Sequence, residues 1–375
     1  MVKRLYLTVA IGLTLAGCQV PSRISMYGSG GRTAYNMAAQ NTTNQELLLN
    51  LVRLRYSDTP YFLELNNITT QFTLNNALVA ALPAPGFNSE NPAKFEAGVT
   101  WQNQPTIQYS PLEGKDFAIQ LMYPLDLQLI QGLVFTGWDI DRVFRLLVQN
   151  MAELPNAYSA SGPIPKEPPN YKQFAEVVHL LRAFQKAGKL QIGIRYTPPG
   201  KTKPVAQSEK PEDAMSNTMQ ITFPSKGETA ERIGKILKGL KTVNGNYLLS
   251  MRQAFNEKAE IGIMTRSLLS CMYYLSLGVD VPQKDIEAGV VGSTKSADGT
   301  LFNWREVIGD MITVHSSVSH PKTAYLAVPY RGHWFYIDDS DVEAKRTFVL
   351  LQQIYNLQAK RQEREAPLLS IPLGS

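Results

Sequence analysis

Lys3 and Arg4 are followed by an apolar run over residues 5–15 and then by the small residues Ala16 and Gly17. A basic start, an apolar middle and a small-residue cleavage site are the three parts of a secretory signal, so residues 1–17 read as a signal peptide. No other feature constrains the fold as much. It places the folding chain beyond Gly17, in an oxidising compartment, with Cys18 and Cys271 as the only thiols. The apolar run is far shorter than the ~20 residues that cross a bilayer as a helix, and no later stretch reads as a spanning helix.

The run Leu-Ala-Gly-Cys at 15–18 resembles the bacterial lipobox, in which the cysteine is diacylated, the signal is cut before it and the new amino group is acylated. The resemblance implies that Cys18 is the lipidated first residue of the mature chain and that its acyl chains hold the membrane as a partner. Two or three chains anchor far more firmly than one. Gln19 follows instead of Asp, which by resemblance to lipoproteins of double-membrane bacteria implies the outer membrane, with the periplasmic face favoured. Once lipid occupies Cys18, Cys271 has no intramolecular partner, so no disulfide framework forms and packing alone must hold the core.

Removing 17 of the 375 residues leaves 358, a length that suits one large domain or two ordinary ones. Of 37 basic residues, Lys3 and Arg4 leave with the signal, so 35 remain against 32 acidic ones. That balance gives no case for nucleic acid as a partner. Walker, GxSxG, GxGxxG, CxxC and HExxH patterns are absent from the sequence, and the four histidines are scattered, so no cofactor or metal is expected.

Residues 18–42 have the composition of a mobile tether. Thr43 and Glu46 fit a capping box, with Leu47, Leu48, Leu51, Val52 and Leu54 on one face of a helix over residues 44–56. Residues 61–82 and 95–109 read as paired antiparallel strands, with Val99, Trp101, Ile107 and Tyr109 alternating around Pro105 and a proline-rich loop at 83–92 between them. Two helices follow over 116–154, divided near Gly137, the second burying Ile140, Val143, Phe144, Leu147 and Met151. Five prolines at 155–170 suggest a linker. Beyond it the pattern gives a helix at 171–187, a strand at 190–196, a polar excursion at 197–216, a strand at 219–223 and a helix opened by Ser225 and Glu228. A strand near Tyr247 and a long helix over 257–277 come next. Extended segments at 307–314, 324–330 and 333–337, the last two joined by Arg331-Gly332, lead to a final helix at 342–360. Interspersed helices and hairpins make the fold class α+β, arranged as an N-terminal lobe (43–154), a linker (155–170) and a C-terminal lobe (171–375).

NQELLLNLVRLRYSDTP at 44–60, YSPLEGKDF at 109–117, GWDIDR at 137–142, TRSLL at 265–269 and YRGHWFYIDD at 330–339 together resemble an uncharacterised family of proteobacterial envelope lipoproteins. The resemblance spans nearly all of the mature chain. It implies placement in the envelope and carries over no activity, cofactor or site residue.

The candidate catalytic set is Cys271 as nucleophile, His333 as base and Asp338 or Asp339 as orienting acid, in the chain order of papain-like and transglutaminase-like hydrolases. Cys271 lies among Leu268, Leu269, Met272 and Tyr274, so the competing reading is an inert core thiol. Along the strand at 333, His333, Phe335 and Ile337 share one face and Trp334, Tyr336 and Asp338 the other. If only the Phe/Ile face is core, Trp334 and Tyr336 form an exposed patch for a glycan or protein. If sheet and helix cover both faces the patch vanishes, which the usual burial of Trp and Tyr favours. Asp338-Asp339-Ser340-Asp341 resembles a cation-binding turn but lacks the glycine and distal glutamate of a calcium loop, and a helix N-cap at Ser340 or Asp341 accounts for the same residues. Arg53 and Arg55 have Glu64 or Asp116 as possible partners. At the end of the chain, residues 360–365 read as a solvated charge run, and Leu369, Ile371 and Leu373 as one face of an edge strand completing the domain's sheet or augmenting a partner's.

The leading reading is a non-enzymatic, lipid-anchored structural or interaction protein that binds another envelope component. The alternatives are a periplasmic Cys/His hydrolase using Cys271 and His333, and a glycan- or peptidoglycan-binding module using Trp334 and Tyr336.

Overall fold

The computed structural model describes residues 32–80, 95–197, 216–253 and 261–358. The signal at 1–17, Cys18, the loop at 83–92, nearly all of the excursion at 197–216, the charge run at 360–365 and the terminal strand around Leu369 lie outside the described residues. The fold is α+β. The chain divides into two compact units, Met1–Pro60 with Gly114–Ser375, and Tyr61–Glu113. This is not the expected division into lobes about 155–170.

The first helix, α1 (Arg32–Arg55), begins well before Thr43 and takes in the latter part of the expected tether. Thr42 and Thr43 do not cap it. Their hydroxyls donate back to the carbonyls of Ala38 and Ala39 one turn earlier, as threonines inside a helix do. Leu47, Leu48, Leu51, Val52 and Leu54 are all buried, as the apolar spacing predicts. At its end Ser57 takes a left-handed conformation, φ 61°, while Asp58 N–H bonds the Arg53 carbonyl at 2.8 Å and Ser57 N–H that of Leu54 at 3.1 Å. This Schellman pair satisfies two orphan carbonyls, and Pro60 follows.

The second unit is a hairpin of β1 (Leu63–Ala80) and β2 (Phe95–Pro111), antiparallel as expected. The first unit resumes with three short helices, α2 (Lys115–Met122), α3 (Leu127–Phe135) and α4 (Ile140–Leu147), where two were expected. The last passes directly into β3 (Val148–Met151), so Met151 is buried from a strand and not from a helix. β4 (Leu154–Pro155) pairs with β3, and a 3-10 turn covers Tyr158–Ser161.

Further on are α5 (Lys172–Lys186), β5 (Gln191–Thr197), β6 (Ser216–Pro224), α6 (Glu228–Ile236), β7 (Lys241–Val243), β8 (Asn246–Arg252) and β9 (Ile261–Thr265). Where one long helix over 257–277 was expected, residues 261–265 are strand and only α7 (Leu268–Ser276) is helical. Ser267 separates the two, its hydroxyl accepting from Ser270 N–H at 3.1 Å. The strands form one sheet in the order β4-β3-β9-β8-β6-β5, with β7 beside β8. That sheet runs through the expected linker. The 155–170 segment is tied down because its proline-flanked carbonyls accept bonds: Pro165 from the Thr294 hydroxyl at 2.6 Å and Lys166 from Lys295 N–H at 3.0 Å.

After α8 (Gln283–Glu287) comes α9 (Arg305–Ile308), so the expected strand at 307–314 is a helical turn leading into a buried, non-strand segment. β10 (His315–Ser317), β11 (Ala324–Tyr330) and β12 (His333–Asp338) form a second antiparallel sheet in the order β10-β12-β11. Arg331 and Gly332 join β11 to β12 with φ of 46° and 77°, the double positive of a type I′ turn. The closing helix α10 (Val342–Gln358) buries Ala344, Phe348, Leu350, Leu351, Ile354 and Tyr355. Helix α7 packs against both α1 and α10 and is buried around most of its girth.

Arg266, at the β9–α7 junction, is fully buried. Its guanidinium donates to the carbonyls of Arg145 (2.8 Å), Leu146 (3.1 Å), Val148 (3.0 Å) and Asn156 and to the Ser161 hydroxyl (3.0 Å). It also lies 4.2 Å from the centre of the Tyr274 ring. Arg266→Met strands several buried acceptors at ~1–3 kcal/mol each, so the variant should lose at least about 3 kcal/mol in urea unfolding of residues 32–375. Loss of less than about 1 kcal/mol, within the range of ordinary surface substitutions, would refute the clamp.

Candidate functional site

Cys271 lies in the middle of α7 with no exposed surface, and its thiol donates to the Leu146 carbonyl at 3.4 Å. Burial pushes the thiol up to about 12, against the opposing pull of the Arg266 guanidinium. A thiol held protonated is not a nucleophile. His333 is nearly buried at the start of β12, with Nδ1 3.3 Å from the Arg331 carbonyl oxygen. Neither hydrogen bond joins His333 to Cys271. Asp338 accepts from Ser340 N–H at 2.9 Å, from the Ser340 hydroxyl at 2.5 Å and from Thr323 at 3.4 Å; these bonds hold its carboxyl below the usual range. Asp339 pairs with Lys345 at 2.7 Å. The structure therefore does not assemble the Cys271, His333 and acid set.

The acidic turn is the entry to α10. Asp341 accepts from Ala344 N–H at 2.9 Å as its N-cap. Among the described residues no three His, Cys, Asp or Glu side chains cluster as metal ligands would. Arg53 donates to the Asn50 side chain at 3.1 Å and Arg55 to the Gly292 carbonyl at 3.1 Å, partners the sequence did not suggest.

The alternation of β12 resolves cleanly. His333, Phe335 and Ile337 are buried, while Trp334, Tyr336 and Asp338 keep part of their surface in solvent. The expected covering of both faces is incomplete: the second face is largely but not wholly covered. Register places His315 and Ser317 of β10 on the Trp334–Tyr336 face, opposite Tyr336 and Trp334 respectively, with Ala327 and Pro329 of β11 on the other side. The His315 ring sits 5.4 Å from that of Tyr336, and His320 packs edge-on to Trp334 at 4.4 Å. The result is a partly covered shelf of two aromatic and two imidazole rings, of which only His320 is exposed. Neither histidine was singled out from sequence, because each meets its ring across a strand pair or a turn.

A second concavity, of about 670 Å³, lies between α3 and α10 and is lined by Leu129, Leu133, Trp138, Gln353 and Leu357. Trp138 Nε1–H donates to Gln353 at 3.0 Å across one end.

Because the folded thiol titrates above its ordinary value near 9, the unfolded chain loses this proton first as pH rises. Its contribution to stability is complete below pH 9 and disappears towards pH 12. Unfolding titrations should therefore show the parent losing stability relative to Cys271→Ala above pH 9, and thiol reagents should leave native Cys271 unmodified; rapid modification at pH 8 would refute the buried thiol. No family model matches this chain, and neither a curated protein nor a solved structure matches it.

Proposed function

We propose that this chain is a lipid-anchored, non-enzymatic interaction protein of the cell envelope, attached through acyl chains on Cys18 and binding another envelope component. The lipobox resemblance at residues 15–18 and Gln19 support an outer-membrane anchor. The observation that carries the binding role is the shelf of Trp334, Tyr336, His315 and His320 on the outer face of β10-β12-β11. Partly exposed Trp and Tyr supply contact area at small entropic cost, and both residue types are enriched at interfaces. Their rings are supported from beneath by Phe335 and Ile337, both fully buried, so the surface is presented on a rigid base.

A second reading has a specific observation in its favour. Trp334 and Tyr336 are two positions apart on one strand, which spaces them at about 7 Å. Two flat apolar surfaces at that spacing, with imidazole donors beside them, suit stacking against a glycan such as peptidoglycan. The hydrolase reading has no comparable support, since its nucleophile is buried and bonded to a carbonyl.

Two outcomes test the proposal. Cys18→Ala should abolish incorporation of a palmitate analogue and release the protein from membranes, while residues 32–358 keep their circular dichroism; undiminished labelling would defeat the anchor. The double variant Trp334→Ala, Tyr336→Ala should lose photo-crosslinked envelope partners at least tenfold with its melting temperature within a few degrees of the parent. Co-sedimentation with purified sacculi then separates a glycan ligand from a protein one, and unchanged behaviour in both assays would remove the shelf from consideration.

A further inference from the structure

In the second unit, β1 and β2 pair with no third strand among the described residues. Their register sorts the sequence into two unlike faces. Ile68, Leu74 and Leu78 share one face with their direct partners Ile107, Trp101 and Ala97. Thr69, Gln71 and Thr73 share the other with Thr106, Gln104 and Gln102. The apolar face is broken at Thr70, Asn76 and Asn103, and the polar face carries a single charge, Glu96 opposite Val79 near its far end. No Asp, Glu, Lys or Arg occurs over residues 65–80 or 97–112, whereas Glu64 and Glu113 bound one end and Lys94 and Glu96 the other.

A long ribbon facing water ordinarily protects its two open edges with lysines or other charges, and a lone two-stranded hairpin is marginal there. This one carries no such protection. Its uncharged span of residues 65–80 extends about 53 Å, more than the ~9–11 tilted residues a strand needs to cross hydrocarbon. Apolar and polar positions alternating along each strand, flanked by aromatic residues at the interface, mark strands of a membrane barrel. Tyr61 and Tyr109, each 45% exposed, stand at the end bounded by Glu64 and Glu113. Inside hydrocarbon every backbone N–H and C=O must be bonded, so an open edge cannot persist. Two strands cannot close on themselves, and their edges must meet further strands of the same kind.

We propose that β1 and β2 are a membrane-inserting hairpin whose apolar face meets bilayer hydrocarbon and whose edges pair with the hairpins of other copies of this chain to close a barrel. At two strands per copy, the smallest barrels, of about eight strands, take about four copies. Pro105 withholds one donor within the uncharged span, and Pro111 another at the end of the ladder. The proposal takes the envelope placement above as its setting and does not depend on Trp334.

The test uses the lipidated full-length protein in vesicles of phosphatidylethanolamine and phosphatidylglycerol, with single cysteines placed in β2 and labelled with an environment-sensitive fluorophore. Cys271 is buried and adds no background. Labels at Val99, Trp101 and Ile107 should be quenched several-fold more by acyl-chain nitroxides than labels at Thr100, Gln102 and Thr106, and crosslinking should give a ladder reaching about four copies or more. Leu74→Lys should abolish this quenching pattern and Thr73→Lys preserve it. Flat quenching, a monomer on crosslinking, or equal tolerance of the two lysines overturns the proposal even if partner capture at Trp334 persists. Loss of that capture with periodic quenching intact overturns the shelf and leaves the hairpin standing.

Discussion

The first unit depends on a cation with no ion-pair partner among the described residues. Helix α4 runs into β3 without a turn between them, so its last carbonyls have no following helical N–H to accept. They also form the negative end of the helix dipole. Arg266 places its guanidinium there and caps Arg145 and Leu146, while its own backbone N–H takes the Leu147 carbonyl at 2.7 Å. The Asn156 amide adds a bond to Arg145 at 2.9 Å, and Cys271 adds one to Leu146. A buried charge is costly unless its hydrogen bonds are complete, and here carbonyl dipoles on several sides do the work of a counter-ion. The same contacts join α4, β3, the 155–170 segment, β9 and α7, which explains why no domain boundary can fall among them.

Segments whose pattern has one interpretation were legible in the sequence. The period of α1 marked its buried leucines, the alternation of β12 marked its core face, and Arg331-Gly332 between two apolar runs marked the hairpin turn. Failures came where one pattern fits two structures. A short apolar run such as 261–277 fits a buried helix as well as a strand followed by a helix, and the difference lies in pairing with β3, more than a hundred residues away. Thr43 and Glu46 have the spacing of a cap, yet the helix already exists when the chain reaches them. Prolines at 155–170 exclude regular helix, but they leave carbonyls free to accept bonds from elsewhere.

At the candidate site the same limit appears. Cys271 and His333 have the chain order of a hydrolase, and chain order says nothing about burial or distance. What decides against them is local: His333 shares a strand face with Phe335 and Ile337, and the helix around Cys271 is packed nearly all round. The aromatic positions of the shelf could be read from β12 alone, whereas the imidazoles that complete it arrive from β10 and the loop after it. In the second unit, alternation around Pro105 was visible from the sequence, but pairing each residue with its opposite requires the register, and only then do the two faces separate into a mainly apolar and a mainly polar one.

The hairpin also has a topological consequence. It leaves and returns side by side, with Leu63 opposite Pro111 and Leu112 N–H bonded to the Phe62 carbonyl at 2.9 Å. An excursion whose ends already touch imposes almost no closure cost on the chain that carries it, whatever its length. The ribbon can therefore be lengthened or shortened by paired insertions or deletions without disturbing the pairing of Leu63 with Pro111 at its base. Evolution can thus tune the length of this hairpin without altering the sequence of the first unit.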